Sequence, residues 1–301
     1  MVDISYTIII PHYNIPDLLM RCLKSIPVRE DIQVIVIDDC SPNANTYKET
    51  YPELSRPYLE YYSTPQSGSA GRARNIGLDH SKGKWVICMD ADDLFVDDID
   101  KVLSFVKDRT EDVLFFNYKT VYSNDLAKEG NRGGYQLYFS DENIKKENLF
   151  RYHFDSMWGK VFKREMIEKY HIRCDETRYG NDVGFSFRCG ALAKRIKVIN
   201  RPFFIITERD GSLASTQFNG RKRTPLEYIS RLEGALKIKD FIDRNHLQVK
   251  HRMYVDLSYG FMRDYPIKFL KYYFSTIIRN HFRTSLVIPI FIVYMIGFKR
   301  K

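Results

Sequence analysis

The sequence predicts an α/β fold: a Rossmann-like, mostly parallel central sheet flanked by helices, followed by a helical C-terminal extension. Three observations carry this. Strand-like and helix-like segments alternate through roughly the first 120 residues, the strand-like runs are rich in Ile and Val on both faces, and acids follow directly on the second and fourth of them. Functional groups are therefore expected just beyond the carboxyl ends of the strands.

Residues 6–11 (YTIIIP) read as the first strand, and residues 15–26 as a helix with apolar spacing at Leu18, Leu19, Cys22, Leu23 and Ile26. Residues 33–38 (QVIVID) form the second strand, ending in acids and a Ser-Pro-Asn turn. A third strand is expected over 58–63, a helix over 69–80, a fourth strand over 84–89 (KWVICM) and a fifth over 112–117 (DVLFFN). Beyond Tyr118 the pattern changes. Residues 122–135 are polar and Gly-rich, which suggests a mobile excursion or hairpin, and residues 140–143 resemble a helix start. Residues 182–194 look helical, and 196–207 read as one or two short strands interrupted at Pro202. Thr224-Pro225 caps a long helix reaching about Asn245, followed by further amphipathic pieces.

The chain has 301 residues, 44% apolar and 14% aromatic, enough for a sizeable core and against disorder or a fibrous protein. Its five cysteines are scattered with no CxxC pair, so neither a disulfide framework nor a zinc ribbon is expected, and a reducing compartment is. No secretory signal is expected, since the apolar run at residues 8–11 is too short and lacks a basic leader. Net charge is +9, and it is concentrated: residues 260–301 hold eight basic residues against the single acid Asp264, net +7. There, residues 284–298 (TSLVIPIFIVYMIGF) carry no charge and lie between Arg283 and Lys299-Arg300-Lys301. As a helix this run spans about 22 Å, short of a hydrocarbon core of about 30 Å, so a crossing is not expected. Cations flanking an apolar segment suit an interfacial or re-entrant anchor on an anionic cytoplasmic leaflet; the competing readings are a packed C-terminal helix and a nucleic-acid patch, for which no groove-reading motif is present.

Carboxylates gather at Asp38-Asp39, at Asp90-Ala91-Asp92-Asp93 and at Asp182. Acids this close repel unless a cation or donor-rich ligand offsets them, and Mg²⁺ or Mn²⁺ beside phosphate oxygens suits such a set. The seven histidines show no HExxH or paired ligand spacing, and the glycines make neither GxGxxG nor a P-loop.

Four ordered segments carry a family resemblance: Thr7 to Asn14 (TIIIPHYN), Val36 to Ser41 (VIDDCS), Gly71 to Gly77 (GRARNIG) and Met89 to Asp93 (MDADD). Together they resemble the family 2 nucleotide-sugar glycosyltransferases of GT-A fold, of the bacterial cell-surface polysaccharide type, and Met157 to Arg164 is similar to the segment such enzymes place before the acceptor site. The resemblance covers about residues 5–215. It implies a glycosyltransferase domain over 1–220, with a nucleotide-sugar half at 1–118 and an acceptor half at 119–220; the residue pattern beyond it reads as a helical region at 221–301 with the membrane-seeking tail.

The resemblance also implies roles. A base needs an edge partner and a face: Asp39 resembles the carboxylate that accepts from a pyrimidine NH and Tyr13 the stacking ring, with Pro11 and Asn14 nearby; ordinary core packing is the competing reading of Tyr13. Arg74 and Asn75 match the family's ARN element; Arg74 is expected to hold the base or the diphosphate, with Arg72 an outer helper or a plain surface arginine. Asp90 resembles the first DxD acid, facing ribose and water and counted with Asp92 at the metal, Asp92 the acid that ligates the metal, and Asp93 a supporting or helix-capping residue. Asp182 is the expected base and implies inversion at the anomeric carbon; helix capping competes, and Asn181 stands where the family usually carries Glu. Trp158, Lys160 and Arg209 are expected on the acceptor side or in a closing loop at 208–215. The implied partners are Mn²⁺ or Mg²⁺, a UDP-sugar donor, a glycan or lipid-linked acceptor and the inner face of the cell membrane, with a cytoplasmic location and no nucleic acid. A nucleotidyltransferase would want a Gly-rich loop where His12-Tyr13-Asn14 stands. A catalytically silent, nucleotide-binding partner of a polysaccharide-assembly complex is the remaining alternative, favoured by Asn181.

Overall fold

The computed structural model describes residues 3–132, 134–209, 211–212, 222–249, 251 and 253–280. The apolar and basic run at 284–301, and Asp210 and Ser215 of the expected closing loop, lie outside the described residues. The chain divides into two units, Met1–Glu176 with Asn181–Ser215, and Thr177–Gly180 with Thr216–Lys301.

The first unit is built on a nine-stranded sheet. In chain order its elements are β1 (Tyr6–His12), α1 (Pro16–Lys24), β2 (Ile32–Asp38), α2 (Tyr47–Thr50), β3 (Leu59–Ser63), α3 (Ala70–Asp79), β4 (Trp85–Cys88), β5 (Leu94–Phe95) and α4 (Ile99–Lys107). Then follow β6 (Val113–Tyr122), β7 (Asp125–Glu129), a 3₁₀ turn at Tyr135–Phe139, α5 (Glu147–His153), β8 (Lys160–Lys163), α6 (Arg164–Lys169), α7 (Val183–Leu192) and β9 (Ile196–Glu208). The strand order is β3-β2-β1-β4-β8-β6-β9-β5, with β7 paired to β6.

The first four strands are parallel, as their two-sided apolar pattern requires: Ile8, Ile9, Ile10 and Val34 to Ile37 are fully buried. Burying each such side chain contributes about 2 kcal/mol. Gly77 lets α3 lie on this sheet, because a Cβ there would stand 2.4 Å from Ile9 Cγ2. From β4 onward the sheet is mixed: β8 runs antiparallel to both β4 and β6, while β9 pairs with β6 in parallel. The chain leaves β1 toward β2 and β3 and returns on its other side as β4, so a crevice opens beyond the ends of β1 and β4, where ligands bind in open α/β sheets.

Two expectations change. Residues 196–207 form one strand, whose register on β6 shifts where Asn117 faces Pro202; the irregularity absorbs the proline without ending the strand. The helix start expected at 140–143 is a turn, in which Ser140 Oγ accepts from Asn143 N, and α5 begins only at Glu147. The polar stretch after Tyr118 is a hairpin, β6 to β7.

In the second unit, α8 (Pro225–Arg244), α9 (Met253–Asp264) and α10 (Pro266–Asn280) pack around Tyr228, Leu232, Leu236, Phe261 and Phe269. Thr224 and Glu227 form a reciprocal capping box at the start of α8. Among the described residues no helix is long and apolar enough to cross a membrane. All five cysteines are free.

Candidate active site

The ends of β1 and β2 are fastened to each other by a buried polar cluster. His12 Nε2 accepts from Ile15 N at 3.1 Å, so its Nδ1 carries the proton and donates to Asp38 Oδ2 at 2.7 Å; both side chains are fully buried. Ser41 adds two donors to the same carboxylate, its N–H at 2.7 Å and its hydroxyl at 2.7 Å, and its Oγ accepts from Asn14 N at 2.7 Å. Burial pushes the Asp38 carboxyl up, but the bonds from His12 and Ser41 outweigh it and hold the group below its ordinary range. Asn14 and Cys40 complete the two turns at positive φ, 50° and 65°.

On this base sits Tyr13, 53% exposed, which removes core packing as its explanation. Asp39 is buried, and it accepts from Gly68 N at 2.9 Å and Ser67 Oγ at 3.2 Å, which draws the 64–68 loop over the end of β2. Arg72 lies against that loop: a Cβ on Gly68 would stand 2.6 Å from its Cδ. Asn75 uses its amide in both directions on a neighbouring segment, accepting from Cys174 N at 2.8 Å and donating to Cys174 O at 3.1 Å.

Beyond β4, ligand oxygens of Asp90, Asp92 and Asp93 lie within 4.8 Å of one another. The three are held differently. Asp90 accepts from Arg74 at 2.6 Å, and Asp92 from Arg209 Nε at 2.9 Å. Among the described residues Asp93 caps no helix; its Oδ1 accepts from Thr207 N at 2.7 Å, and its buried Oδ2 has no hydrogen-bond partner there. Burial and the charge of Asp92 push the Asp93 carboxyl well above the usual range. Arg132 donates to Thr207 O at 2.9 Å; burial opposes its charge, and Asp93, Asp90 and Asp92 sustain it. Three clustered carboxylates with one unpartnered buried oxygen form a hard, all-oxygen donor set that fits Mg²⁺ or Mn²⁺.

The third part of the site lies at the start of α7. Arg74 donates its other terminal nitrogen to Asn181 Oδ1 at 2.7 Å, and burial of this arginine is outweighed by Asp90, with Cys174 and Asp182 beyond it. Asp182 occupies the N-cap of α7 without a capping bond from its side chain, so capping does not explain it. Burial, then Asp90, raise its carboxyl above the ordinary range against Arg74 and Lys160. Lys160 is 1% exposed and donates to Phe154 O and, at 2.7 Å, to Ser156 O. Trp158 packs edge-on against Tyr118, Tyr135 and Phe154.

Sequence reasoning missed His12, Arg132 and Asp155. His12 was findable from its place beside the Asp38-Asp39 strand end. Arg132 and Asp155 lie in segments without periodicity, and only long-range packing brings them here.

A parallel sheet with carboxylates and arginines at its switch point, extended by mixed strands and by a helix that starts at a further acid, has the GT-A fold of glycosyltransferases. The chain belongs to glycosyl transferase family 2, whose sequence profile matches residues 7–171. It is similar to glycosyltransferase GlyA of Streptococcus pneumoniae, 24% identical over 226 residues, which are 71% of this chain and 32% of that protein. It is also similar to the poly(ribitol-phosphate) beta-N-acetylglucosaminyltransferase TarS of Staphylococcus aureus, 23% identical over 224 residues, 71% of this chain and 37% of the relative. The chain thus spans about a third of the length of these relatives. The solved structure of TarS 1-349 in complex with UDP-GlcNAc superposes with a TM-score of 0.64 at 18% identity, over 90% of this chain and 73% of that one. A mannosyltransferase of Pyrobaculum calidifontis, solved with GDP-Man and Mn²⁺, superposes with a TM-score of 0.53 at 15% identity, over 93% and 77%.

Proposed function

We propose that the chain is a metal-dependent, inverting glycosyltransferase that moves a hexose from a UDP donor to a hydroxyl of a glycan or lipid-linked acceptor during bacterial cell-surface polymer synthesis. The observation that carries this reading is Asp182: a carboxylate at a helix start that caps nothing, directly after Asn181, which Arg74 bonds together with Asp90. The UDP-GlcNAc bound by TarS supports the choice of donor, and its action on poly(ribitol-phosphate) supports a polymer hydroxyl as acceptor.

In this reading Asp39 accepts from the uracil NH, the exposed ring of Tyr13 stacks on the base beside Pro11 and Asn14, and Arg72 reaches the diphosphate, while Arg74, bonded to Asp90 and Asn181, sets the acids around it and Asn75 fixes their helix. Asp92 and Asp90 would hold a divalent cation, which when bound neutralises charge gathering on the leaving diphosphate. The acceptor hydroxyl gives its proton to Asp182 and attacks the anomeric carbon opposite the departing diphosphate, so configuration inverts. A carboxyl raised above its ordinary range suits a base working near neutral pH. Arg209 and Trp158 belong to the loop and acceptor sides.

A screen of UDP-hexoses and GDP-mannose with Mn²⁺, reading the released nucleotide, tests the reading. Asp182→Asn is expected to lower turnover by at least 10³-fold while UDP binding persists; retained turnover refutes the base. A wild-type protein that binds UDP and turns over no donor supports instead the silent partner that Asn181 raises. For location we propose the inner face of the cell membrane, held by the basic, apolar tail. Deletion of residues 279–301 should then release the protein from the membrane pellet.

A further inference from the structure

Lys160 is a buried amine that touches no carboxylate among the described residues. Its ammonium lies 4.8 Å from the ring centre of Phe154 and 5.4 Å from that of Phe115, and its hydrogen bonds go to Phe154 O and Ser156 O. Those carbonyls flank Asp155. Burying an ammonium costs several kcal/mol, and a methionine would fill the same space at no such cost. What the lysine adds is a fixed position for the residue between its two acceptors.

The same turn is bolted to the base. Ser156 O also accepts from Ser186 Oγ at 2.8 Å, and Ser186 N donates to Asp182 O at 2.9 Å in the first turn of α7. Gly159, at φ 72°, lets the strand begin directly beneath, since a Cβ there would stand 2.9 Å from the Phe154 ring. Asp155 is thereby placed where its charge acts on Asp182 and Lys160, and on Tyr135 and Tyr138. Burial pushes its carboxyl up to about 7, with Asp182 adding and Lys160 opposing. Burial likewise brings Lys160 down to about 7, against Asp155, Cys189 and Asp182.

We propose that Asp155 is a second, sugar-binding carboxylate of the transfer site, which accepts from a hydroxyl of the reacting hexose or of the acceptor, and that Lys160 is its positioning residue. Asp155 thereby supplies from a different element the acid that Asn181 does not. It takes no proton from the reaction: the acceptor proton goes to Asp182, the new carbon–oxygen bond forms, and the bonding pair leaves with the diphosphate. The inference rests on the glycosyltransferase reading above.

UDP release from UDP-GlcNAc, UDP-glucose and UDP-galactose, with Mn²⁺, is measured in water alone and with alkyl glycosides added. Asp155→Asn is expected to lose at least 30-fold in kcat/KM: in both arms if the hydroxyl belongs to the donor, in the glycoside arm alone if it belongs to the acceptor. Lys160→Met should follow the affected arm, with UDP affinity by calorimetry within twofold of wild type, a split that a general loss of structure would not give. Asp155→Asn with both arms within twofold of wild type overturns the assignment while transfer stands. Wild-type protein releasing no UDP from any donor overturns the underlying reading, and this inference with it.

Discussion

Arg74 holds two residues with the two prongs of one guanidinium: Asp90 Oδ1 at 2.6 Å and Asn181 Oδ1 at 2.7 Å. One side chain of α3 thus sets the separation between the strand-end acid cluster and the start of α7. Arg74→Ala leaves a partly buried carboxylate unpaired and is expected to cost about 3 kcal/mol, read from denaturant midpoints. Arg74→Lys keeps the charge but cannot span both acceptors, so donor turnover should fall at least 100-fold with half or more of the stability restored. Equal stability loss in the two variants would contradict the bridging role.

Gly71 is where α3 comes closest to the segment that leads into Asn181. A Cβ there would stand 2.1 Å from Asp175 O and 2.9 Å from Asn181 Cβ. The carbonyl is backbone and cannot swing aside. Gly71→Ala should therefore destabilise by about 2–3 kcal/mol, although alanine is otherwise the better helix former by about 1 kcal/mol. A thermal melt of this variant at or above the wild-type temperature would show that the helix can shift freely.

How far the sequence reached depends on whether a feature is local. Strands β1, β2 and β4 were legible because each is a run of apolar residues ending in punctuation, and Asp39, Asp90 and Asp92 were legible because acids directly follow such runs. β5 and β8, of two and four residues, are too short for periodicity, and their pairing partners β9 and β6 lie far along the chain. Ser140 read as a cap because its bond to Asn143 N closes a turn in the same way a helix start does. Asp155 had no local signal at all, since Lys160 and Ser186 fix its place through main-chain carbonyls.

Asp92 and Arg209 form an ion pair at 2.9 Å in the protein alone, so a divalent cation at Asp92 competes with the arginine for the same carboxylate. Asp92→Ala should abolish the Mn²⁺-dependent part of UDP binding, a loss of at least 30-fold by calorimetry, and chelation of wild-type protein should reproduce it. Arg209→Ala removes the competitor and should leave the metal-dependent increment at or above its wild-type size. If Asp92→Ala binds UDP with Mn²⁺ as wild type does, the cluster is not the metal site.

The Asp38 carboxylate, fully buried between His12 and Ser41, gives the fold a dependence on pH whose direction follows from its shift. Burial raises its pKa, yet the donors of His12 and Ser41 prevail and lower it in the folded protein, so folding favours the ionised form. The stability it contributes is complete above the unfolded value of 3.8 and is lost as pH falls through the lower, folded value. Asp38→Asn offers the three donors one oxygen instead of two and sets its own NH₂ against one of them. The variant should be less stable by about 3 kcal/mol at pH 7, measured by urea unfolding. The gap should hold down to about pH 4 and narrow below it, because only the wild type must then take up a proton it resists. A gap that widens as acid is added would mean that Asp38 is protonated at neutral pH, and that the His12 bond is made to a carboxylic acid.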